Sequence, residues 1–304
     1  MRALPIIILT TAVLTFEVRA QQEPLFGQYL NNPIILNPAY TGINNVLNVG
    51  IGYRTQWLSY EGAPNTGLIS AHSSFFDNSM GAGVVLMRDK LGSTSNTQFN
   101  FTYAYKLKLS DNNDVLSFGL QGGVINVREN NDELTISDPS DPLYSGDIST
   151  SKFNFGAGLA IKGERYYVGL SIPRLVQNET DFGDISSQLT QRHYYVAAGY
   201  AIKVTGLVDL VPSVLINGLS DSPTSIDYNL SMVYLNTFTI GLLSRDFDTY
   251  GVLLQANIKE TIRASYVFEL PLDKSVGTQF TTHEFSVTAD FAIFSGQKVK
   301  TRYF

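Results

Sequence analysis

The chain has 304 residues, 44% hydrophobic and 12% aromatic, with a formal net charge of −6 and no cysteine. Its mean hydropathy of +0.01 excludes a helical membrane protein, which needs runs of about 20 apolar residues. It leaves a membrane β-barrel open, and the missing cysteine and acidic balance argue against disulfide frameworks, thiolate metal sites and nucleic-acid binding.

Residues 1–20 read as a signal peptide. Arg2 precedes an apolar run through Ile6, Ile7, Ile8, Leu9, Val13 and Leu14, and Val18-Arg19-Ala20 supplies a cleavage site before Gln21. The run is too short to span a bilayer. Residues 21–45 do not alternate like a strand. Asn32-Pro33 looks like a helix cap with proline at the first helical position, Asn37-Pro38 ends that turn, and Ala39-Tyr40-Thr41-Gly42 reads as a turn. Two readings stand side by side here: a tethered leader to the first strand, or a short plug or periplasmic base under a barrel mouth.

From Val46 onward the period is two, the signature of strands with one apolar and one polar face. The first strand sets Leu47, Val49, Ile51 and Tyr53 against Asn48, Gly50, Gly52, Arg54 and Gln56. Residues 97–109 set Phe99, Phe101, Tyr103 and Tyr105 against Gln98, Asn100, Thr102, Lys106 and Lys108. Clear strands recur from Phe153, Ile226 and Ile262, with weaker ones at 67–76, 80–88, 114–127, 165–172, 193–203, 207–217, 237–244 and 249–259. The last strand sets Phe285, Val287, Ala289 and Phe291 against Glu284, Ser286, Thr288 and Asp290.

The reading is all-β: a transmembrane antiparallel barrel of about 14 strands over residues 46–294, with residues 295–304 as a C-terminal tail. Tight connections at 77–79, 110–113, 162–164, 204–206, 235–236 and 259–261 alternate with mostly longer ones, the pattern of short periplasmic turns and longer outer loops. The longer set is 58–66, 89–95, 128–151, 173–192, 218–223, 245–248 and 271–279. Trp57, at the outer end of the first strand, is expected in the aromatic girdle, and Arg88 marks an outer strand end.

Charges on the lipid face are costly, so Arg54, Gln56, His72, Lys106, Lys108, Arg263, Glu269, Glu284 and Asp290 are expected to line the lumen. His72, His193 and His283 have no metal-ligand spacing and read as lumen-lining residues bonded to their neighbours, so no metal or cofactor is expected. Ser70 and His72 share one face, but no catalytic geometry follows from that, and the chain reads as no enzyme. The acidic stretch 128–151 carries carboxylates a calcium ion could use, without EF-hand spacing, and reads as a solvated outer loop that cargo could touch.

Four stretches resemble the PorP/SprF family of outer-membrane proteins, associated with type IX secretion and gliding motility. The first runs from Glu23-Pro24-Leu25-Phe26-Gly27-Gln28-Tyr29 through Asn32-Pro33 to Asn37-Pro38-Ala39-Tyr40-Thr41-Gly42. The second is Tyr53-Arg54-Thr55-Gln56-Trp57 with Gly62-Ala63-Pro64-Asn65-Thr66 and Ser70-Ala71-His72. The others are Met80-Gly81-Ala82-Gly83 with Asp89-Lys90-Leu91-Gly92, and Gly277-Thr278 leading into His283-Glu284. Gly27 departs from the serine frequent in the family, as does the long acidic loop.

The resemblance implies a Gram-negative outer-membrane accessory, embedded in outer-membrane lipid and without catalysis. It implies that the barrel supports export or surface attachment of a large, adhesin-like secreted protein and contacts periplasmic components of the secretion machinery. The first motif is its implied partner-binding or plug segment. The alternative is a general diffusion porin for small solutes.

Overall fold

The computed structural model describes residues 26–27, 29–110, 114–130, 148–177, 179–182, 185–188, 191–219, 223–272, 280–294, 297 and 299. Residues 1–20, where a signal peptide is expected, Pro24, Leu25, Gln28, most of the acidic loop and nearly all of the C-terminal tail lie outside these residues.

Fourteen strands close into one antiparallel barrel. They are β1 (Leu47–Thr55), β2 (Asn65–Phe75), β3 (Met80–Leu91), β4 (Thr94–Lys108), β5 (Val115–Glu129), β6 (Ile148–Lys162) and β7 (Tyr166–Ile172). Then come β8 (His193–Tyr200, carried past Ala201 by Ile202–Lys203), β9 (Val208–Leu219), β10 (Ser225–Tyr234), β11 (Phe238–Arg245), β12 (Thr249–Ile258), β13 (Ile262–Pro271) and β14 (Thr282–Phe291). Each strand pairs with its chain neighbours, and β14 closes on β1 from Leu47↔Phe291 to Thr55↔His283. A small hairpin, Glu179–Phe182 with Ile185–Gln188, sits in the connection after β7.

Alternation decides what each face meets. On β4, Phe101 is 62% exposed while its neighbours Asn100 and Thr102 are 6% and 4% exposed. Aromatic and aliphatic side chains therefore clothe the outside, and polar ones fill the inside. Such a surface would be ruinous in water and is natural in hydrocarbon. Among the described residues no helix is long and apolar enough to cross a membrane. Phe101 belongs to the outward apolar row of β4 from Phe99 to Leu107, so Phe101→Arg should cost up to about 2–4 kcal/mol, the penalty for a cation facing lipid at the midplane. Equilibrium folding into phospholipid vesicles measures it.

Both ends of the barrel chain, Leu47 and Phe291, lie at the rim with the tight turns, which is the periplasmic rim by the rule for this class. One expected outer loop, residues 89–95, is shorter than the sequence suggests. β3 and β4 run on until only residues 92–93 separate them. The cause is a polar ribbon: Asp89↔Asn96, Lys90↔Ser95 and Leu91↔Thr94 pair through their backbones, turned by Gly92 at φ +57°. Backbone pairing needs no apolar side chains, so the hydrophobic pattern stops before the strands do.

Candidate functional site

The interior holds the chain's own N-terminal segment. Asn32-Pro33 and Asn37-Pro38 each start a single 3-10 turn, Pro33–Ile35 and Pro38–Tyr40. Proline suits the first helical position because its missing N–H has no partner there anyway. Asn37 caps the second turn by accepting from Ala39 N at 2.9 Å, and Thr41 Oγ1 donates back to Pro38 O at 2.7 Å. Gly42 then turns at φ +62°.

This segment lies lengthwise in the barrel. Gly27 N donates to Glu284 Oε2 at 2.9 Å near the outer ends of β1 and β14, whereas Thr41 and Gly42 pack on β2 and β3 near the periplasmic rim. Between them Asn31 reaches Ser265, Asn32 reaches Ser70, Ser171 Oγ donates to Leu36 O, and Ser117 Oγ donates to Ala39 O, all between 2.6 and 2.9 Å. Asn37 Nδ2 donates to the carbonyls of Leu159 and Leu170 at 3.1 and 3.2 Å. Gly42 N donates to His72 Nδ1 at 2.9 Å, and its carbonyl accepts from Lys106 Nζ.

Apolar residues seat the same segment. Phe26 and Ile34 pack with Leu68, Val85 and Met87. Tyr29 packs with Tyr195 and Leu215. Ala39, Tyr40 and Ile43 join Ala160, Tyr167, Val211 and Val233, with the Tyr40 and Tyr167 rings edge to face at 6.4 Å. Burial pushes the Tyr29 and Tyr40 phenols above their ordinary range, so both stay neutral.

Glycines cut the groove that receives it. A Cβ on Gly81 would overlap the Thr41 carbonyl, one on Gly119 the Ala39 nitrogen, and one on Gly158 the Asn37 side-chain oxygen. These lie on β3, β5 and β6, so the wall between β3 and β6 is shaped to the segment. Two hollows beside the segment measure about 10 and 30 Å³, room for about one or two waters.

An ionic ladder crosses the outer half of the interior. Asp227 Oδ1 meets Arg245 Nε at 2.6 Å, Arg245 Nη2 lies 3.8 Å from Glu269, Glu269 meets Arg54 Nη2 at 2.6 Å, and Arg54 Nη1 meets Glu284 at 3.0 Å. Two guanidiniums face three carboxylates, and the Gly27 N–H supplies a further donor to Glu284. Arg54 is 1% exposed and ties β1 to β13 and β14.

The sequence-derived residues fall as follows. Arg54, His72, Lys106, Glu269, Glu284 and Asp290 are buried in the interior, the last accepting from Asn48 Nδ2 at 2.7 Å. Gln56 and Arg263 are half-buried, and Lys108 is exposed at its strand end. Phe26, Tyr29, Asn32, Asn37, Pro38, Ala39, Tyr40 and Gly42 are buried, and Pro33 is half-buried. Ser70 and His72 hold the N-terminal segment, at Asn32 and Gly42.

His193 faces inward and pairs with Asn217 at 2.9 Å. His283 does not line the lumen. It shares the outward parity of Phe285 and bonds Tyr266 and Thr281, which satisfy its two ring nitrogens on that face. Trp57 follows β1 at φ +48°, its ring edge-on to Tyr60, which in turn meets Phe280 at 5.2 Å.

The sequence reading gave no role to Ser117, Ser171 or the seat glycines, although Gly81 stands in a family motif, and it placed Arg245 in an outer loop. Glycine on an inward parity, opposite nothing bulky, was the available signal for the seat. Among the described residues no group of three or more His, Cys, Asp or Glu is placed to hold a metal. Asn37→Ala removes a cap and two further bonds, so it should lower stability by about 2–3 kcal/mol, read from the urea midpoint in detergent.

Comparison with solved structures shows the same fold at low identity. The TodX deltaS2S3 mutant monoaromatic hydrocarbon channel is 9% identical, with a TM-score of 0.51 over 86% of this chain and 94% of that one. The CymD monoaromatic hydrocarbon channel is 11% identical, with a TM-score of 0.52 over 85% and 92%. No curated protein matches the sequence. The family described as Type IX secretion system membrane protein PorP/SprF matches residues 18–289. That match spans nearly the whole barrel together with the Asn-Pro segment inside it, and the chain therefore belongs to the PorP/SprF family of outer-membrane barrels.

Proposed function

We propose that this barrel is a non-conducting, non-enzymatic accessory of type IX secretion. It supports export or surface attachment of a large adhesin-like cargo by binding partners at its rims, with periplasmic components of the machinery on one side and cargo on the other. Residues 1–20 act as its signal peptide, and the Asn-Pro segment acts as its plug. The observation that carries the reading is the filled interior: chain, buried ion pairs and glycine seats occupy the space a solute would need. Work is then left to the rims.

The diffusion-porin reading draws on the fold shared with the two hydrocarbon channels. It is opposed by the same filled interior. A deletion strain tests the proposal: one or more large surface proteins should vanish from the cell surface. Normal display and secretion of every surface protein would overturn it.

A further inference from the structure

The outward face of β3 to β6 changes character where its apolar band ends, and strand register shows where that is. On β4 the outward apolar side chains run from Phe99 to Leu109. That is about 33 Å along the strand and about 25 Å of height once the strand is tilted, the height of an outer-membrane apolar band. The last apolar row on the outer side is Leu86, Phe99, Val124 and Phe153, each paired with the next. The strands continue past it. The next outward row is Arg88, Thr97, Asn126 and Ser151, and the row above that is Lys90, Ser95, Arg128 and Ser149.

Three cations thus face sideways from the barrel wall, about 5 and 10 Å of height above the last apolar row. The polar layer adds about 5–8 Å on each side of the hydrocarbon, so the first row lies within it and the second at its outer edge. Lys90 and Arg128 stand two strands apart, about 10 Å, with Arg88 one rung below Lys90. Arg88 and Arg128 are exposed, and Lys90 is half-buried. The carboxylates of the same strands take the other face. Asp89 accepts from the buried Thr66 Oγ1 at 2.6 Å, and Glu129 shares the inward parity of Ile125. Among the described residues of β1 to β6 no outward side chain is Asp or Glu. Across the barrel the connection from β11 to β12 instead exposes Asp246 and Asp248.

Cations at headgroup depth on a membrane-facing wall are complementary to a phosphorylated lipid headgroup. A guanidinium offers phosphate paired donors, and an ammonium adds a point charge. An acidic protein partner would be met by cations on the upper rim, whereas these are directed into the lipid layer. We propose that Arg88, Lys90 and Arg128 form a binding site for the phosphorylated sugar headgroup of lipid A, the glycolipid of the outer leaflet. Native mass spectrometry of the full-length protein in mild detergent tests this, with titration of lipid A, of lipid A stripped of its phosphate, and of phosphatidylglycerol. The wild type should hold lipid A about tenfold more tightly than either other lipid. Arg88→Gln should weaken lipid A binding about fivefold, and the triple change Arg88→Gln, Lys90→Gln, Arg128→Gln about a hundredfold. Lys203→Gln, at an exposed cation of the periplasmic rim, should leave it unchanged. The replaced side chains all face outward, so the barrel should still form, as heat-modifiable gel mobility checks. Equal binding of the phosphate-free lipid or of phosphatidylglycerol would overturn the proposal. So would a folded triple variant that binds lipid A like the wild type, or an equal loss in Lys203→Gln.

Discussion

Gly119→Val should dislodge the N-terminal segment and turn a silent barrel into a leaky one. The wall at Gly119 is in contact with backbone, not with a movable side chain: a Cβ there would overlap Ala39 N and Pro38 C. Ser117 Oγ, two residues earlier on the same inward face, holds Ala39 O at 2.6 Å and fixes the segment at that height. Neither the strand, paired on both sides with β4 and β6, nor the Asn37-capped turn can retreat without breaking its own bonds. Overpacking of this kind costs about 1–3 kcal/mol, and more where backbone meets backbone. The segment is the weaker partner, because the barrel ladder is cooperative and closed. Urea unfolding should show the loss, and single-channel recording should show current steps absent from the wild type. A variant as stable and as silent as the parent would contradict the seat.

The second large effect is expected at Arg54. Its guanidinium lies between Glu269 and Glu284 at 2.6 and 3.0 Å, with all three side chains at most 5% exposed. Arg54→Met would leave two carboxylates facing each other away from water. Removing one partner of a buried ionic group typically costs about 3–5 kcal/mol, much of it the stranded charge itself. Arg245 is 3.8 Å from Glu269 and already engaged by Asp227 at 2.6 Å, so it compensates only in part. The triple change Arg54→Met, Glu269→Gln, Glu284→Gln should recover most of the loss, since no stranded charge remains. Thermal unfolding in detergent compares the three proteins. Equal midpoints for the single variant and the wild type would show that water reaches these groups freely.

The barrel was legible because period-two alternation is a property of consecutive residues. Ile51 and Tyr53 against Gly52 and Arg54, repeated strand after strand, gives strand count and facing directly. The polar ribbons beyond the membrane were not, because backbone pairing such as Lys90↔Ser95 leaves no apolar trace. The Asn-Pro turns could be read as capped single turns from local chemistry. A place inside the barrel was one of the two readings open for them, but their seat could not be read, since it is made by Gly81, Gly119 and Gly158, residues brought together only by strand register. Arg245 was hidden for a related reason: it ends β11, and at a strand end parity no longer separates a loop charge from a lumen charge. His283 was different. Its parity with Phe285 already placed it outside, and its polarity suggested the interior against that signal.

The central claim is that the interior of this outer-membrane barrel is occupied by its own N-terminal segment. Conductance of the purified wild-type protein in a planar lipid bilayer tests it most directly. No stable current above the bare membrane should appear at moderate voltage. A large, steady open-channel current from the folded wild type would contradict it.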